Sequence, residues 1–229
     1  MTVSKTIPEE MNKLKECAEI ITNVSGYREV ERRSLRSESG NNAVEGCIEY
    51  YSPLDNNNRT GSAYAIICQK TVKQGKHRKK NNAKPSGWKS IPDKSIPGGY
   101  LYNRCHLIGC QLIEKLYKKG TPGVPNCNVR KVITGTRYLN ESMLIFENMV
   151  VDYLKMHPDI HVFYRAIPEY REDCLLAERV LIEAMSIEDG GNSLWFRGYC
   201  FNEQPGIKID YKTGEILDSN RDSENCTGI

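Results

Sequence analysis

The 229-residue chain has no apolar run approaching the ~20 residues that a bilayer-spanning helix requires. Its first residues, Met1-Thr2-Val3-Ser4-Lys5-Thr6-Ile7-Pro8, lack the apolar stretch of a secretory leader. Its nine cysteines are odd in number and scattered in spacing, which sets aside an evenly paired disulfide framework. These absences make buried thiols in a reducing, cytoplasmic setting the expectation, with a mature secreted form as the alternative. No internal repeat or low-complexity tract is present, which sets aside repeat architectures. The net charge is only +3, so global charge says little for an anionic partner.

The composition that remains is that of an ordinary globular protein, 39% apolar and 27% charged. The length suits one domain, or one domain with an appendage, and buries a core without staples. Positive charge is concentrated locally: Lys70, Lys73, Lys76, His77, Arg78, Lys79, Lys80 and Lys84 share a stretch without an acid. Such a run is either a solvated loop or a flap that gathers a polyanion near a cleft.

Periodicity supplies the elements. Pro8, Glu9 and Glu10, followed by Met11, Leu14, Ala18, Ile21 and Val24 at helical spacing, predict a helix over 8–24. Strand-like runs cover 47–51, 63–70 and 100–102, with a turn-rich segment at 54–61. A short helix is expected over 107–118, extended chain over 128–133, and a second helix over 141–156. Further strand-like runs cover 160–167, 175–187, 194–201 and 207–211, with a hairpin turn at 212–215 and a polar tail after Leu217. The predicted class is α+β, a mainly antiparallel sheet carrying a few helices.

Two segments carry chemistry. Tyr102-Asn103-Arg104-Cys105-His106-Leu107-Ile108 sets an arginine two residues before a histidine, at a predicted strand-to-helix junction. Thr134-Gly135-Thr136-Arg137-Tyr138-Leu139-Asn140 ends in an asparagine at the mouth of the second helix. A neutral imidazole with a pKa near ~6.5 takes a proton from water at physiological pH. Asn140 and Glu147 are seven apart, two turns along nearly one helix face, so both can point at one ion. Amide and carboxylate oxygens are hard ligands suited to Mg²⁺. Arg104 and Arg137 offer guanidinium forks that match phosphate oxygens. Singly, each has a bland explanation: a core histidine, a helix N-cap, a solvent-facing acid, a surface arginine. Together they are the parts of a one-metal phosphodiesterase.

In their order, these residues resemble the DNA/RNA non-specific endonuclease family, with its ββα-metal (His-Me) finger, and within it most the streptococcal DNase branch. That branch has an Asn-Arg-Ser-His-Leu-Ile segment, a Thr-Gly-Thr-Arg-x-x-Asn segment and a Met-x-x-x-Glu run. This chain has Asn103-Arg104-Cys105-His106-Leu107-Ile108, Thr134 through Asn140, and Met143-Leu144-Ile145-Phe146-Glu147. Leu54 through Ala65 and Pro85-Ser86-Gly87-Trp88 resemble further family elements. The likeness covers roughly 45 to 215.

The resemblance implies an endonuclease acting on DNA, and on RNA as a further substrate, with Mg²⁺ as cofactor and Mn²⁺ as a substitute. It implies His106 as general base, Asn140 as direct metal ligand and Glu147 acting through the ion's water shell. Arg104 would contact the scissile phosphate or its neighbour, with Arg137 and Asn103 on the substrate side. Residues 1–44 would be an accessory helix and linker, 45–217 the nuclease domain and 218–229 a tail. An immunity or inhibitor protein would be a partner if the protein is a toxin. The departures are Asn103 in place of the wider family's Asp, Cys105 in place of Gly, and an insertion near 118–128.

Three rival expectations stand beside this one. The chain could bind nucleic acid without catalysis. Cys105, His106, Cys110 and Cys127 could form a structural zinc site, although adjacent residues point apart on a strand. A cysteine nucleophile could pair with His157 or His161, although no spacing singles out a cysteine.

Overall fold

Five runs rich in β-branched and aromatic residues pair edge to edge into one antiparallel sheet. The computed structural model describes residues 44, 46–72, 82–114 and 128–219. The helix expected over 8–24, the central part of the basic stretch and nearly all of the expected insertion lie outside the described residues. Of the basic stretch, Lys70 and Lys84 are described, and both are exposed.

In chain order the elements are β1 (Ile48–Tyr51), β2 (Ala63–Cys68), β3 (Tyr102–His106), a one-turn α1 (Cys110–Ile113), β4 (Val132–Thr136), the long α2 (Arg137–Met156), β5 (His161–Glu169), β6 (Arg179–Ser186), β7 (Trp195–Phe201), β8 (Ile207–Ile209) and β9 (Ile216–Ser219). The main sheet runs β1-β2-β5-β6-β7, and β3–β4 and β8–β9 are separate antiparallel hairpins. This is the α+β class expected.

α2 lies on one face of the main sheet because Leu139, Met143, Phe146, Val150 and Leu154 recur at three- and four-residue steps, and all are buried. The Phe146 ring packs at a tilt against Phe196 of β7, with centroids 5.2 Å apart. Each fully buried side chain of this kind contributes about 1.5–3 kcal/mol, so packing rather than propensity holds the helix in place. On the sheet's other face, Glu183 is fully buried between its cross-strand neighbours Arg165 and Arg197.

Several boundaries differ from expectation, each for a physical reason. The strand expected over 100–102 is instead β3 at 102–106, because Asn103, Arg104, Cys105 and His106 pair in register with Gly135, Thr134, Ile133 and Val132. Polar residues disguise this strand. α2 begins at Arg137 rather than 141, because the Thr136 hydroxyl accepts a hydrogen bond from the Leu139 amide at 3.0 Å and caps it. Asn140 is therefore the fourth helical residue, not a cap. α1 begins at Cys110 rather than 107, since the Leu107 amide still bonds the Lys131 carbonyl at 3.0 Å. Residues 129–131 form a 3₁₀ turn rather than extended chain, capped by the Asn128 side chain. The start of the supposed tail forms β9 against β8.

Asn202, fully buried after β7, locks the hairpin to the sheet. Its Oδ1 accepts from the Thr136 amide at 2.8 Å, and its Nδ2 donates to the carbonyls of Thr134 at 3.1 Å and Ala177 at 2.8 Å. Thr60 donates to the Val132 carbonyl at 2.8 Å from the other side. β4 is thus held at both ends, by Thr60 where it begins and by Asn202 where it runs into α2.

Candidate active site

β3, β4 and the first half of α2 form a ββα unit. His106 is the last residue of β3 and pairs with Val132. Burial, reinforced by the Lys131 charge, pushes its imidazole below the ordinary 6.5. It is therefore neutral near pH 7, the form that accepts a proton. Lys131 is itself held in place: Nζ donates to Glu49 Oε1 at 2.7 Å, and Glu49 Oε2 accepts from the Tyr51 hydroxyl at 2.9 Å. The Lys131 ammonium also lies 4.9 Å from the centre of the Tyr51 ring. This Tyr51–Glu49–Lys131 set is absent from the sequence-level expectations. Its one visible sign is an acid within an otherwise apolar strand.

Alternation along β3 sends Arg104 and His106 to one face and Asn103 and Cys105 to the other. Arg104 donates from Nε to the Ala83 carbonyl, and its guanidinium stacks 3.9 Å over Trp88. The Gly-Trp element therefore serves as the platform for this arginine. Ser86 ties that platform down, accepting at its carbonyl from Thr134 Oγ1 at 2.8 Å and donating from Oγ to Leu175 at 2.7 Å. A guanidinium carries five N–H donors, and the Ala83 bond uses one of them. Arg137 differs, since its Nε donates to Glu141 at 2.8 Å on the first turns of α2. An anion at Arg137 competes with that carboxylate.

Asn103 does not join Arg104 and His106. It lies on the opposite face of β3, and its Nδ2 is buried without a hydrogen-bond partner among the described residues. Cys105 is fully buried in the main core with Ile133 and Leu139. A Cβ on Gly135 would stand 2.5 Å from the Cys105 sulfur. Gly135 thus makes room for the thiol, which points away from His106, so its bulk does not enter the site.

On α2, Asn140 and Glu147 are seven positions apart. They rotate to within about 20° of each other and rise ~10 Å. That rise is too long for both to touch one ion. A helical side chain leans toward the N-terminus, so the Glu147 carboxylate is directed toward the Asn140 end of this face.

Glu147 is 7% exposed. Among the described residues its carboxylate accepts one hydrogen bond, from Gln111 Nε2 at 3.3 Å. Burial pushes its pKa from 4.5 up to about 7, against the opposing pull of Gln111. The carboxylate rests against Gly109, where an added Cβ would come within 2.0 Å of Oε2 and 2.3 Å of Cδ. Gly109 lies three residues past His106, so this contact joins the two halves of the site. A buried carboxylate with one weak donor is short of positive charge. Together with the Asn140 amide it is a hard-oxygen set that fits a divalent cation.

The raised pKa has a stability consequence for the metal-free protein. Glu147 binds its proton more tightly folded than unfolded. Its stabilising contribution is fully present below pH 4.5 and is lost as the pH rises through about 7, a change of about 3 kcal/mol. Melting curves across this range should show the decline in wild type and not in Glu147→Gln, and a saturating divalent cation should reverse it at high pH. Equal pH slopes for the two proteins would remove Glu147 as the source.

The zinc expectation on Cys105, His106, Cys110 and Cys127 does not hold. Cys105 and His106 face opposite sides of β3, Cys110 is exposed, and Cys127 lies outside the described residues. His157 stacks on Tyr153 at 4.3 Å. His161 does stand beside two thiols, Cys47 and Cys68. Burial and the neighbouring thiol push Cys47 up, away from the thiolate a nucleophile needs.

An antiparallel hairpin feeding a helix, with a neutral histidine at the strand end and hard oxygens on the helix, defines a ββα-metal nuclease site. The model of the family described as DNA/RNA non-specific endonuclease matches residues 37–187. The chain belongs to that family, and it is a metal-dependent nuclease whose substrate is DNA. It is 28% identical to a deoxyribonuclease of Streptococcus dysgalactiae subsp. equisimilis, over 86% of this chain and 69% of that one. The structure of Sda1 nuclease with a bound zinc ion aligns at a TM-score of 0.60 and 29% identity, covering 75% of this chain and 81% of that one. NucA from Streptococcus agalactiae with a magnesium ion bound aligns at 0.65 and 23% identity, over 92% and 95%, and shares the fold.

Proposed function

We propose that this chain hydrolyses phosphodiester bonds with His106 as general base and a single Mg²⁺ held directly by Asn140, with Glu147 at the ion's water shell. The observation that carries the reading is the buried Glu147 carboxylate, pressed on Gly109 and lacking a cationic partner among the described residues. His106 takes a proton from the attacking water in its neutral form. Arg104, stacked on Trp88, grips a phosphate oxygen and orients the backbone. Lys131 adds positive potential beside the histidine and keeps it neutral. The ion, when bound, neutralises phosphate charge and stabilises the leaving oxygen. The attacked group is the backbone, so base identity need not be read, and RNA is a second substrate for the same chemistry. Oxygen donors favour Mg²⁺, with Mn²⁺ as its substitute.

Plasmid and total RNA incubated with the purified chain provide the test. Nicking and linearisation are expected with Mg²⁺, arrest with EDTA, and recovery on adding Mg²⁺ or Mn²⁺ back. Asn140→Ala should raise the Mg²⁺ concentration for half-maximal rate at least about tenfold, since it removes the direct ligand. Unchanged Mg²⁺ dependence in that variant would refute Asn140 as the ligand.

A further inference from the structure

Outside the catalytic unit, one group of side chains has the chemistry of a second metal site. Cys47 lies just before β1, Cys68 ends β2 and His161 begins β5, so three neighbouring strands bring them together at one end of the main sheet. Cys68 and His161 are direct cross-strand partners. The two sulfurs are 3.4 Å apart, and a ring nitrogen of His161 lies within 4.8 Å of both. Both cysteines are buried, while His161 is half-buried.

The imidazole is oriented from behind. His161 Nδ1 bonds Glu188 Oε1 at 2.6 Å, and the other carboxylate oxygen accepts from the His161 backbone amide at 2.8 Å. Although burial works the other way, these bonds hold the Glu188 carboxyl below its usual range, as an acceptor. Nε2 is the ring nitrogen left to coordinate. It faces Gly46, where an added Cβ would stand 3.5 Å from it, and Gly46 adjoins Cys47. A carboxylate on the distal nitrogen of a histidine is the arrangement that fixes tautomer and ring orientation at metal centres.

We infer that Cys47, Cys68 and His161 bind a zinc ion, with Glu188 positioning the imidazole and a fourth position open to water or another ligand. The dimensions support this. Two thiolates on tetrahedral zinc lie about 3.8 Å apart and a thiolate and an imidazole nitrogen about 3.5 Å, so closing the cluster requires shifts of roughly an ångström or less. A Cys47–Cys68 disulfide would instead need the sulfurs to close to ~2.0 Å and would leave the Glu188–His161 pair without a role. Sulfur and imidazole donors select zinc over the hard ion proposed for Asn140, so the two sites would not compete for magnesium. The site would have a structural purpose. The Cys47–Cys68 pair packs on Ile113 of α1, the turn whose Gln111 holds Glu147. It is an accessory site of a nuclease, on residues other than the Cys105–His106 set.

Cobalt substitution tests it on the reduced full chain, with a readout independent of cleavage. One equivalent of Co²⁺ should give the thiolate-to-cobalt charge transfer and visible bands of a four-coordinate site. One equivalent of Zn²⁺ should displace it, and excess Mg²⁺ should not. Cys47→Ser and Cys68→Ser should lose the bands, Glu188→Gln should weaken binding about 10–100-fold, and Asn140→Ala should keep them. Mg²⁺-dependent plasmid cleavage by the serine variants would show that they fold. Wild-type protein without thiolate–cobalt bands would overturn the inference whatever the variants do. So would bands that persist without both cysteines, or a Cys47–Cys68 disulfide that resists reduction in the native chain.

Discussion

Replacing His106 with alanine is expected to lower the rate of plasmid cleavage by about 10²–10⁴-fold, the range a positioned general base supplies, while the protein still binds DNA and Mg²⁺. Several observations converge on this residue. It ends a strand whose register is fixed over five pairs, so its position is stiff. Burial and Lys131 hold it neutral near pH 7. At saturating Mg²⁺ the wild-type rate should rise with pH as His106 loses its proton, reach its plateau from a midpoint below 6.5, and stay flat beyond. The variant should lack that limb, and its melting temperature should stay near wild type. Full activity in His106→Ala would sink the assigned mechanism, and an unchanged pH limb would move the base elsewhere.

Gly109→Ala should lower kcat/KM by about 10²-fold or more, since misplacing a catalytic group by an ångström costs on that order. The backbone at Gly109 has φ −57° and ψ 135°, which any residue adopts, so the requirement is for space alone. A methyl group there would overlap Glu147 Oε2, Cδ and Oε1 at 2.0, 2.3 and 2.7 Å. The α2 backbone cannot retreat, because Phe146 and Val150 on either side of Glu147 are fully buried against the sheet. Either the carboxylate swings away from the ion's water shell, or the turn that follows His106 is displaced. The apparent affinity for Mg²⁺ should fall with the rate. Cys110→Ala, one residue on and exposed, serves as the control and should change little. Wild-type kinetics in Gly109→Ala would show that Glu147 does not act from its position against this turn.

Much of the site is legible in the chain because its spacing rules are local. Two residues along a strand return to the same face, which pairs Arg104 with His106 and sends Cys105 to the core. Seven residues along a helix return to nearly the same face, which aligns Asn140 with Glu147. The apolar residues of α2 repeat often enough to identify the helix, though not its start. Its first turn is hidden in the sequence because a threonine cap and an arginine resemble loop in the absence of their hydrogen bonds. β3 is hidden for a related reason: its polar residues are strand only because β4 lies beside them.

Residue types, their order and their local faces are set along the chain alone, and with them the class of chemistry, since strand and helix periods follow from backbone geometry. What those faces meet depends on how the folded chain packs. Glu147 presses on Gly109, Arg104 stacks on Trp88, Lys131 joins Glu49 beside His106, and Cys47 and Cys68 meet His161. Each of these contacts links segments whose separation no short-range rule spans, and each depends on which strands pair and in what register. Those pairings are settled by burial of the whole core, so the partners of the functional residues emerge only once the sheet, the hairpin and α2 have packed together.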